Sequence, residues 1–70
     1  MRRPIFVREL LPAERQTLHE GLRSSDAFTM RRCQILLASA RRQHATTIEQ
    51  NLGCDDEMVR RVIKAFMRMD

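Results

Sequence analysis

Apolar residues recur with a helical period in two successive blocks towards the end of the chain. The first block contains Ile48 and Leu52, which are four residues apart. The second block repeats at i, i+3, i+4 and i+7, on Val59, Val62, Ile63 and Phe66. Such spacings place apolar side chains on one face of a helix. The pattern therefore predicts a short helix over residues 45–52 and a longer helix over residues 56–68.

The segment between these two blocks carries the signals of a sharp turn. Gly53 follows the first block, where a left-handed residue ends a helix without a Cβ penalty. Asp55 precedes the second block, and its carboxylate can accept hydrogen bonds from the free N–H groups of a first helical turn. A short helix, a tight turn and a longer helix form a helix-turn-helix, whose second helix enters a DNA major groove.

A further helix is predicted near the start of the chain. Pro12 suits the first position of a helix over residues 12–23, because its missing N–H costs nothing there. The buried face of this helix is expected to carry Leu11, Leu18 and Leu22. Gly21 inside it lowers the stability of the helix by about 1 kcal/mol relative to alanine. A glycine there indicates either close packing against another element or a frayed helix end.

The next helix is the most apolar and is expected to lie at the centre of the core. It is predicted over residues 27–41, after Asp26, a second candidate for an N-cap. Its apolar stripe consists of Met30, Cys33, Leu36, Leu37 and Ala40. Arg41 and Arg42 at its end either offset the helix dipole or contact phosphates. His44 is a candidate cap for the helix that follows.

Residues 1–10 are predicted to form an extended arm, because Pro4 opposes a helix start and the apolar segment 5–7 favours extended backbone. Three roles are open for this arm. It packs onto the domain with Arg2 and Arg3 in solvent, it places these two arginines in a DNA minor groove, or it pairs with a second copy of the chain.

These elements predict an all-α fold, a small four-helix, homeodomain-like helix-turn-helix domain over residues 11–70 with an extended arm at residues 1–10. The length of 70 residues limits the chain to one domain. With three Phe and no Trp or Tyr, the core is left to aliphatic, alanine and methionine side chains, which favours packed helices over a β-sandwich.

The formal net charge of +4 suggests an anionic partner such as nucleic acid. The charge is unevenly distributed along the chain. Residues 1–44 carry nine Arg and four acidic residues, whereas residues 45–70 carry four cationic and five acidic residues. The half that contains the predicted reading helix is therefore the less basic half.

The last predicted helix begins at three acidic residues, Asp55, Asp56 and Glu57. Carboxylates complement the dipole at a helix start. Asp56–Arg60 and Glu57–Arg61 are i, i+4 pairs, each worth a few tenths of a kcal/mol. The same acidic charges weaken attraction to phosphates and occupy arginines that DNA binding needs.

No pattern in the sequence indicates catalysis, a cofactor or a metal. Cys33 and Cys54 lack a paired histidine spacing, so we interpret them as small core residues in a reducing compartment. The chain has no Gly-rich phosphate loop or nucleophile motif. No signal peptide is visible, and the longest apolar run is far too short to cross a membrane. We therefore expect a cytoplasmic, non-enzymatic protein without a cofactor or a small-molecule substrate.

Residues 31–66, RRCQILLASARRQHATTIEQNLGCDDEMVRRVIKAF, resemble the N-terminal DNA-binding region of bacterial insertion-sequence transposases of the mariner-like superfamily. The residues that match the family pattern are Arg31, Arg32, Ile35, Leu36, Leu37, Ala38, Ile48, Leu52, Gly53, Val59 and Arg60. Residues 10–18, LLPAERQTL, are similar to that family's Leu-Thr-Pro-Glu-Glu-Arg opening. The resemblance extends over residues 4–68.

The resemblance implies a helix-turn-helix domain that binds the DNA at the ends of a mobile element. The family's catalytic domain lies further along such chains, so an isolated domain, a truncated copy or a small descendant is expected here. The sequence departs from the family pattern at three places. Glu49 stands where alanine is usual, Arg42 stands where glycine is frequent, and the acidic segment 55–57 stands where Ser or Thr precedes neutral or basic residues.

Together these features place a DNA-binding surface on and around the last helix. Arg60, Arg61 and Lys64 lie within about 100° of one another, opposite the apolar stripe, and are predicted to contact the groove or phosphates. Glu57 is expected beside them, because a carboxylate accepts a hydrogen bond from cytosine N4. The expected phosphate contacts are Thr46, Thr47, Arg41 and Arg42, and the expected minor-groove contacts are Arg2 and Arg3.

A protein-interaction module is the second function that the sequence leaves open. In this interpretation the helix-turn-helix dimerises or docks on another protein and no longer binds DNA. Met58, Met67 and Met69 would supply an adaptable apolar surface near the last helix. A homodimer fits both functions, because the domain is small, the arm is apolar and this motif often binds paired half-sites. A DNA-binding chain would be associated with the nucleoid.

Overall fold

The computed structural model describes residues 4–68, in which four α-helices follow the arm. They are α1 (Pro12–Gly21), α2 (Ala27–Ala40), α3 (Ala45–Leu52) and α4 (Asp56–Arg68). No strand occurs within the described residues, and the prediction of a small all-α domain is confirmed. The bounds of α3 and α4 agree with the prediction, whereas α1 ends two residues earlier and α2 one residue earlier than predicted.

The early ends of α1 and α2 have local causes. After Gly21 the backbone tightens into i→i−3 hydrogen bonds, in which the N–H of Leu22 donates to the carbonyl of His19 at 3.2 Å. The end of α2 is fixed by Arg42, which has a φ of 65°. A residue in that left-handed conformation cannot continue a right-handed helix.

α2 lies at the centre of the fold, as predicted. Within the described residues it packs against each of the other three helices, α3 and α4 pack against each other, and α1 packs only against α2. Buried residues surround α2 instead of forming one stripe, and they are Cys33, Ile35, Leu36, Leu37, Ala38 and Ser39. Met30 and Ala40 of the predicted stripe are half-buried.

The buried face predicted for α1 is only partly correct. Leu18 is buried and Leu22 is half-buried, but Leu11 is 62% exposed. Leu11 precedes the helix in an extended conformation, so its side chain does not follow the helical period. Its N–H donates to Oε1 of Glu14 at 2.9 Å and belongs to the cap of α1.

Gly21 is explained by close packing between α1 and α2. A Cβ atom at this position would lie well inside van der Waals contact of Sγ of Cys33. Cys33 is itself buried in the core, so its sulfur has little room to move. Of the two explanations that the sequence leaves open, the structure supports packing.

Replacing Gly21 with alanine is expected to lower the free energy of unfolding by about 1–2 kcal/mol. Overpacking against Cys33 costs more than the gain of about 1 kcal/mol that alanine brings to a helix. Urea denaturation of the two proteins measures the difference. In a Cys33→Ala background the obstacle is gone, and the same change is expected to be neutral or stabilising. Equal destabilisation in both backgrounds would show that the sulfur is not the obstacle.

Candidate nucleic-acid interface

The connection between α3 and α4 is a sharp corner with a cap on each side. Gly53 ends α3 with a φ of 69°, and its N–H donates to the carbonyl of Glu49 at 2.8 Å. Asp55 begins α4, because its Oδ1 accepts the N–H of Met58 at 2.8 Å. The sequence predicts both caps, and both are confirmed.

Two hydrogen bonds between elements hold the same corner, and neither is apparent from the sequence. Oε2 of Glu49 accepts the N–H of Asp56 at 2.9 Å, which ties α3 to the first turn of α4. The guanidinium of Arg31 donates to the carbonyl of Leu52, so a side chain of α2 caps the end of α3. Glu49, which stands where the resembling family usually has alanine, therefore has a structural role.

α4 presents a cationic face to solvent, opposite the face that packs on the core. The buried residues of the packed face are Val59, Val62 and Ile63. On the outer face Arg61, Lys64 and Arg68 are exposed, and Arg60 is half-buried beside them. The helical spacing thus separates apolar and cationic residues onto opposite sides of α4, as predicted.

An open groove of about 730 Å³ lies between this outer face and the arm, and we call it the α4 groove. It is lined by Pro4 and Ile5 from the arm and by Glu57, Arg60, Arg61, Lys64, Ala65 and Arg68 from α4. Four of these side chains are cationic and one is acidic. The α4 groove is therefore positive although residues 45–70 carry more acids than cations.

Most of the acidic charge at the start of α4 serves the helix itself. Asp55 caps α4, and Oδ2 of Asp56 lies 3.4 Å from Nε of Arg60, which confirms that predicted pair. The predicted Glu57–Arg61 pair is wrong, because neither side chain forms an ion pair or hydrogen bond within residues 4–68. Both side chains are exposed, where a pair gains little against the entropy of ordering it.

A second group of exposed residues surrounds the turn between α2 and α3. It contains the predicted phosphate contacts Arg41, Arg42, Thr46 and Thr47. The N–H of Gln43 donates to the carbonyl of Ala38 at 3.3 Å. The N–H of Arg42 donates to the carbonyl of Ser39 at 2.9 Å. These two bonds form a Schellman motif, which fixes the path of the chain from α2 into α3.

Arg42 occupies the left-handed position of this motif, where glycine is favoured and other residues lose about 1–2 kcal/mol. Its guanidinium lies 5.4 Å from the ring centroid of Phe6, a cation–π contact with the arm. The same ring meets His44 edge-on, with 5.5 Å between ring centroids. His44 is the N-cap residue of α3, but its side chain forms no cap hydrogen bond, so that predicted role is wrong.

The arm is anchored to the domain through Val7 and Arg8. Val7 is buried, and its N–H donates to Oγ of Ser39 at 2.8 Å. Arg8 donates two hydrogen bonds to the carboxylate of Glu14, at 2.7 and 2.8 Å. The Arg8 guanidinium also lies 4.9 Å from the ring centroid of Phe66 on α4. The arm therefore packs onto the domain through these residues, whereas the roles considered for Arg2 and Arg3 concern residues outside the described range.

The carboxyl of Glu14 is held in its ionised form by these contacts. The hydrogen-bonded guanidinium of Arg8, together with the N–H of Leu11, lowers its pKa from 4.5 to about 2. The ion pair between Arg8 of the arm and Glu14 of α1 therefore persists at neutral and mildly acidic pH.

The anchored arm lies between the two groups of predicted site residues. Ile5 lines the α4 groove, and the adjacent Phe6 contacts Arg42 at the turn between α2 and α3. Because consecutive Cα atoms are 3.8 Å apart, both groups lie against one short segment of chain. Arg2 and Arg3, the predicted minor-groove contacts, lie outside the described residues.

The methionines predicted for a protein-interaction surface do not form a single patch. Met58 and Met67 are nine residues apart on α4, which places them about 180° apart around the helix. Both pack partly on the core, and Met69 lies outside the described residues. Phe28, which lies off the predicted stripe of α2, is instead 72% exposed, in a shallow groove that Cys54 and Met58 also line.

No protein-family model, curated protein or solved structure matches this chain. Among residues 4–68, no helix is long and apolar enough to span a membrane. In the same part of the chain, no three His, Cys, Asp or Glu side chains are grouped as a metal site requires. The chemistry of the α4 groove therefore carries the functional argument.

Proposed function

We propose that this protein binds double-stranded DNA sequence-specifically, with α4 in the major groove. The observation that carries this proposal is the α4 groove, where four cationic side chains and one carboxylate line the outer face of α4, the longer helix after the turn at Gly53. A major groove about 12 Å wide admits an α-helix. The corner at Gly53 holds α4 so that this face points away from the core.

The turn between α2 and α3 supports the proposal as a second contact region. In helix-turn-helix proteins the first helix of the motif crosses the DNA backbone. Thr46 and Thr47 are exposed in the first turn of α3, whose N–H groups have no side-chain cap. The N–H groups at such a helix N-terminus donate hydrogen bonds to phosphate oxygens, and Arg41 and Arg42 add positive charge nearby.

The origin and assembly of the module follow from the same proposal. We propose that it is derived from a bacterial transposase of the mariner-like superfamily, because residues 31–66 carry that resemblance. A homeodomain-like docking with Arg2 and Arg3 in a minor groove extends the interface beyond α4. A homodimer on paired half-sites, associated with the nucleoid, is the expected arrangement.

Fluorescence anisotropy with a labelled random duplex tests this function. At about 50 mM salt the chain is expected to bind, and its affinity is expected to fall steeply as salt is raised, because phosphate binding releases counterions. A matched single strand serves as the comparison, and it is expected to bind more weakly than the duplex. Absence of duplex binding at low salt would overturn the proposal.

Protein interaction without DNA binding is the second candidate. Phe28 supports it, because a phenylalanine that is 72% exposed beside the corner between α3 and α4 resembles a docking residue more than a core residue. Sedimentation of the pure chain separates the two functions. A stable dimer that does not bind duplex DNA would favour protein interaction.

A further inference from the structure

Glu57 is the one acidic side chain among the described residues that line the α4 groove. It lies in the first turn of α4, is exposed, and shares the groove with Arg60, Arg61, Lys64 and Arg68. Recognition helices contact base edges mainly with residues near their N-terminal end. Glu57 therefore lies in the part of α4 that corresponds to the base-contacting end of a recognition helix.

The fold itself makes little use of this carboxylate. Asp55 already caps α4, and Asp56 is the acidic residue that pairs with Arg60. Within the described residues Glu57 forms no hydrogen bond or ion pair, although Arg61 follows it by one helical turn. A carboxylate that faces phosphates lowers affinity for every DNA sequence alike. Apart from its favourable position at the helix dipole, such a side chain contributes to DNA binding by distinguishing one base from the others.

We propose that Glu57 is a specificity-determining residue that accepts a hydrogen bond from the N4 amino group of a cytosine in the major groove. An ionised carboxylate has only acceptor atoms. Guanine and thymine present acceptors at the corresponding edge, and adenine places the N7 acceptor beside its N6 donor. Cytosine presents an amino donor without a neighbouring ring acceptor in that groove, so it is the base that a carboxylate prefers. This inference rests on the proposed binding of duplex DNA by α4.

Selection of bound sequences from a random duplex pool tests the assignment. The wild-type chain is expected to enrich sequences with an invariant C·G pair at one position, preferred at least about fivefold over other pairs. Glu57→Ala is expected to lose the preference at that position alone and to bind unselected duplex more tightly. Glu57→Gln is expected to move the preference to adenine, because an amide pairs with adenine N6 and N7. Glu20→Gln, an exposed change on α1, is the matched control and should leave the selected sequence intact.

The outcomes separate this inference from the proposed function. Duplex binding with the same selected sequence for wild type and both Glu57 variants would overturn the role of Glu57 and leave DNA binding in place. Failure of the wild-type chain to bind any duplex would overturn both. Circular dichroism of each variant establishes that it is folded before its selected sequence is compared.

Discussion

Replacing Arg61 and Lys64 with alanine is expected to weaken binding to random duplex DNA about 10- to 100-fold at about 100 mM salt. Both side chains are exposed on the outer face of α4 and line the α4 groove, so both are placed to contact phosphates. Log affinity falls linearly with log salt, and each lost phosphate contact makes this fall less steep by about 0.9. The double variant is therefore expected to lose about two units of slope as well as affinity.

The matched control for this experiment is the double change of Arg15 and Arg23 to alanine. These arginines are exposed near α1 and lie outside the α4 groove, and their removal changes the net charge by the same amount. The control variant is expected to lose only a little affinity for duplex DNA. The slope of its log affinity against log salt is expected to stay almost unchanged. If both double variants lose affinity equally, the binding is a property of net charge and not of the α4 groove.

Replacing Ser39 with alanine is expected to destabilise the domain by about 1–3 kcal/mol. Ser39 is fully buried in α2, and its Oγ accepts the N–H of Val7, which is also buried. Without the hydroxyl the N–H of Val7 loses its hydrogen-bond partner at a site away from water. An unsatisfied buried donor of this kind lowers the free energy of unfolding by about 1–3 kcal/mol. A loss of this size is a large part of the total stability of a domain of 70 residues.

Chemical denaturation of the Ser39→Ala protein measures this loss, and Ser25→Ala in the exposed loop between α1 and α2 is the control. The control is expected to change stability by less than about 0.5 kcal/mol. Because the Ser39 hydroxyl accepts the N–H of Val7, its removal should also speed hydrogen exchange of the Val7 amide. Unchanged stability of Ser39→Ala would show that the arm is not anchored at this point.

The two helices α3 and α4 and the turn between them are the part of the fold that the sequence predicts best, because their signals are local. The 3.6-residue period locates α3 and α4, and their cap residues Gly53 and Asp55 each act within one helical turn. The outer face of α4 follows from the same period. The residues of α4 that line the α4 groove are therefore largely predictable, whereas the position of the arm that forms the other wall is not.

The contacts that fix the angle of the corner could not be predicted, because they join residues distant in sequence. Arg31 and Leu52 are 21 residues apart, and nothing in the local pattern distinguishes Arg31 from the neighbouring Arg32. Glu49 reaches the backbone seven residues further on, where a helical period gives no information. The buried hydrogen bond between Val7 and Ser39 spans 32 residues and is equally invisible to a periodicity argument.

Arg42 shows how a departure from a family pattern acquires a physical meaning. The resembling chains often have glycine there, and the structure places Arg42 at a φ of 65°. The backbone strain of about 1–2 kcal/mol is partly offset by the cation–π contact with Phe6, worth about 0.5–1 kcal/mol at an exposed site. The substitution thus keeps the turn and adds a cation to the surface proposed to contact phosphates.

Amide chemical shifts of the ¹⁵N-labelled chain during titration with duplex DNA locate the binding surface residue by residue. If DNA binds along the outer face of α4, the largest changes will fall on residues 57–68, with a second set at residues 41–47 around the turn between α2 and α3. Amides of α1 are expected to change little, because α1 packs on α2 away from the α4 groove. Changes confined to α1 or to the surroundings of Phe28, or no changes at low salt, would contradict the account.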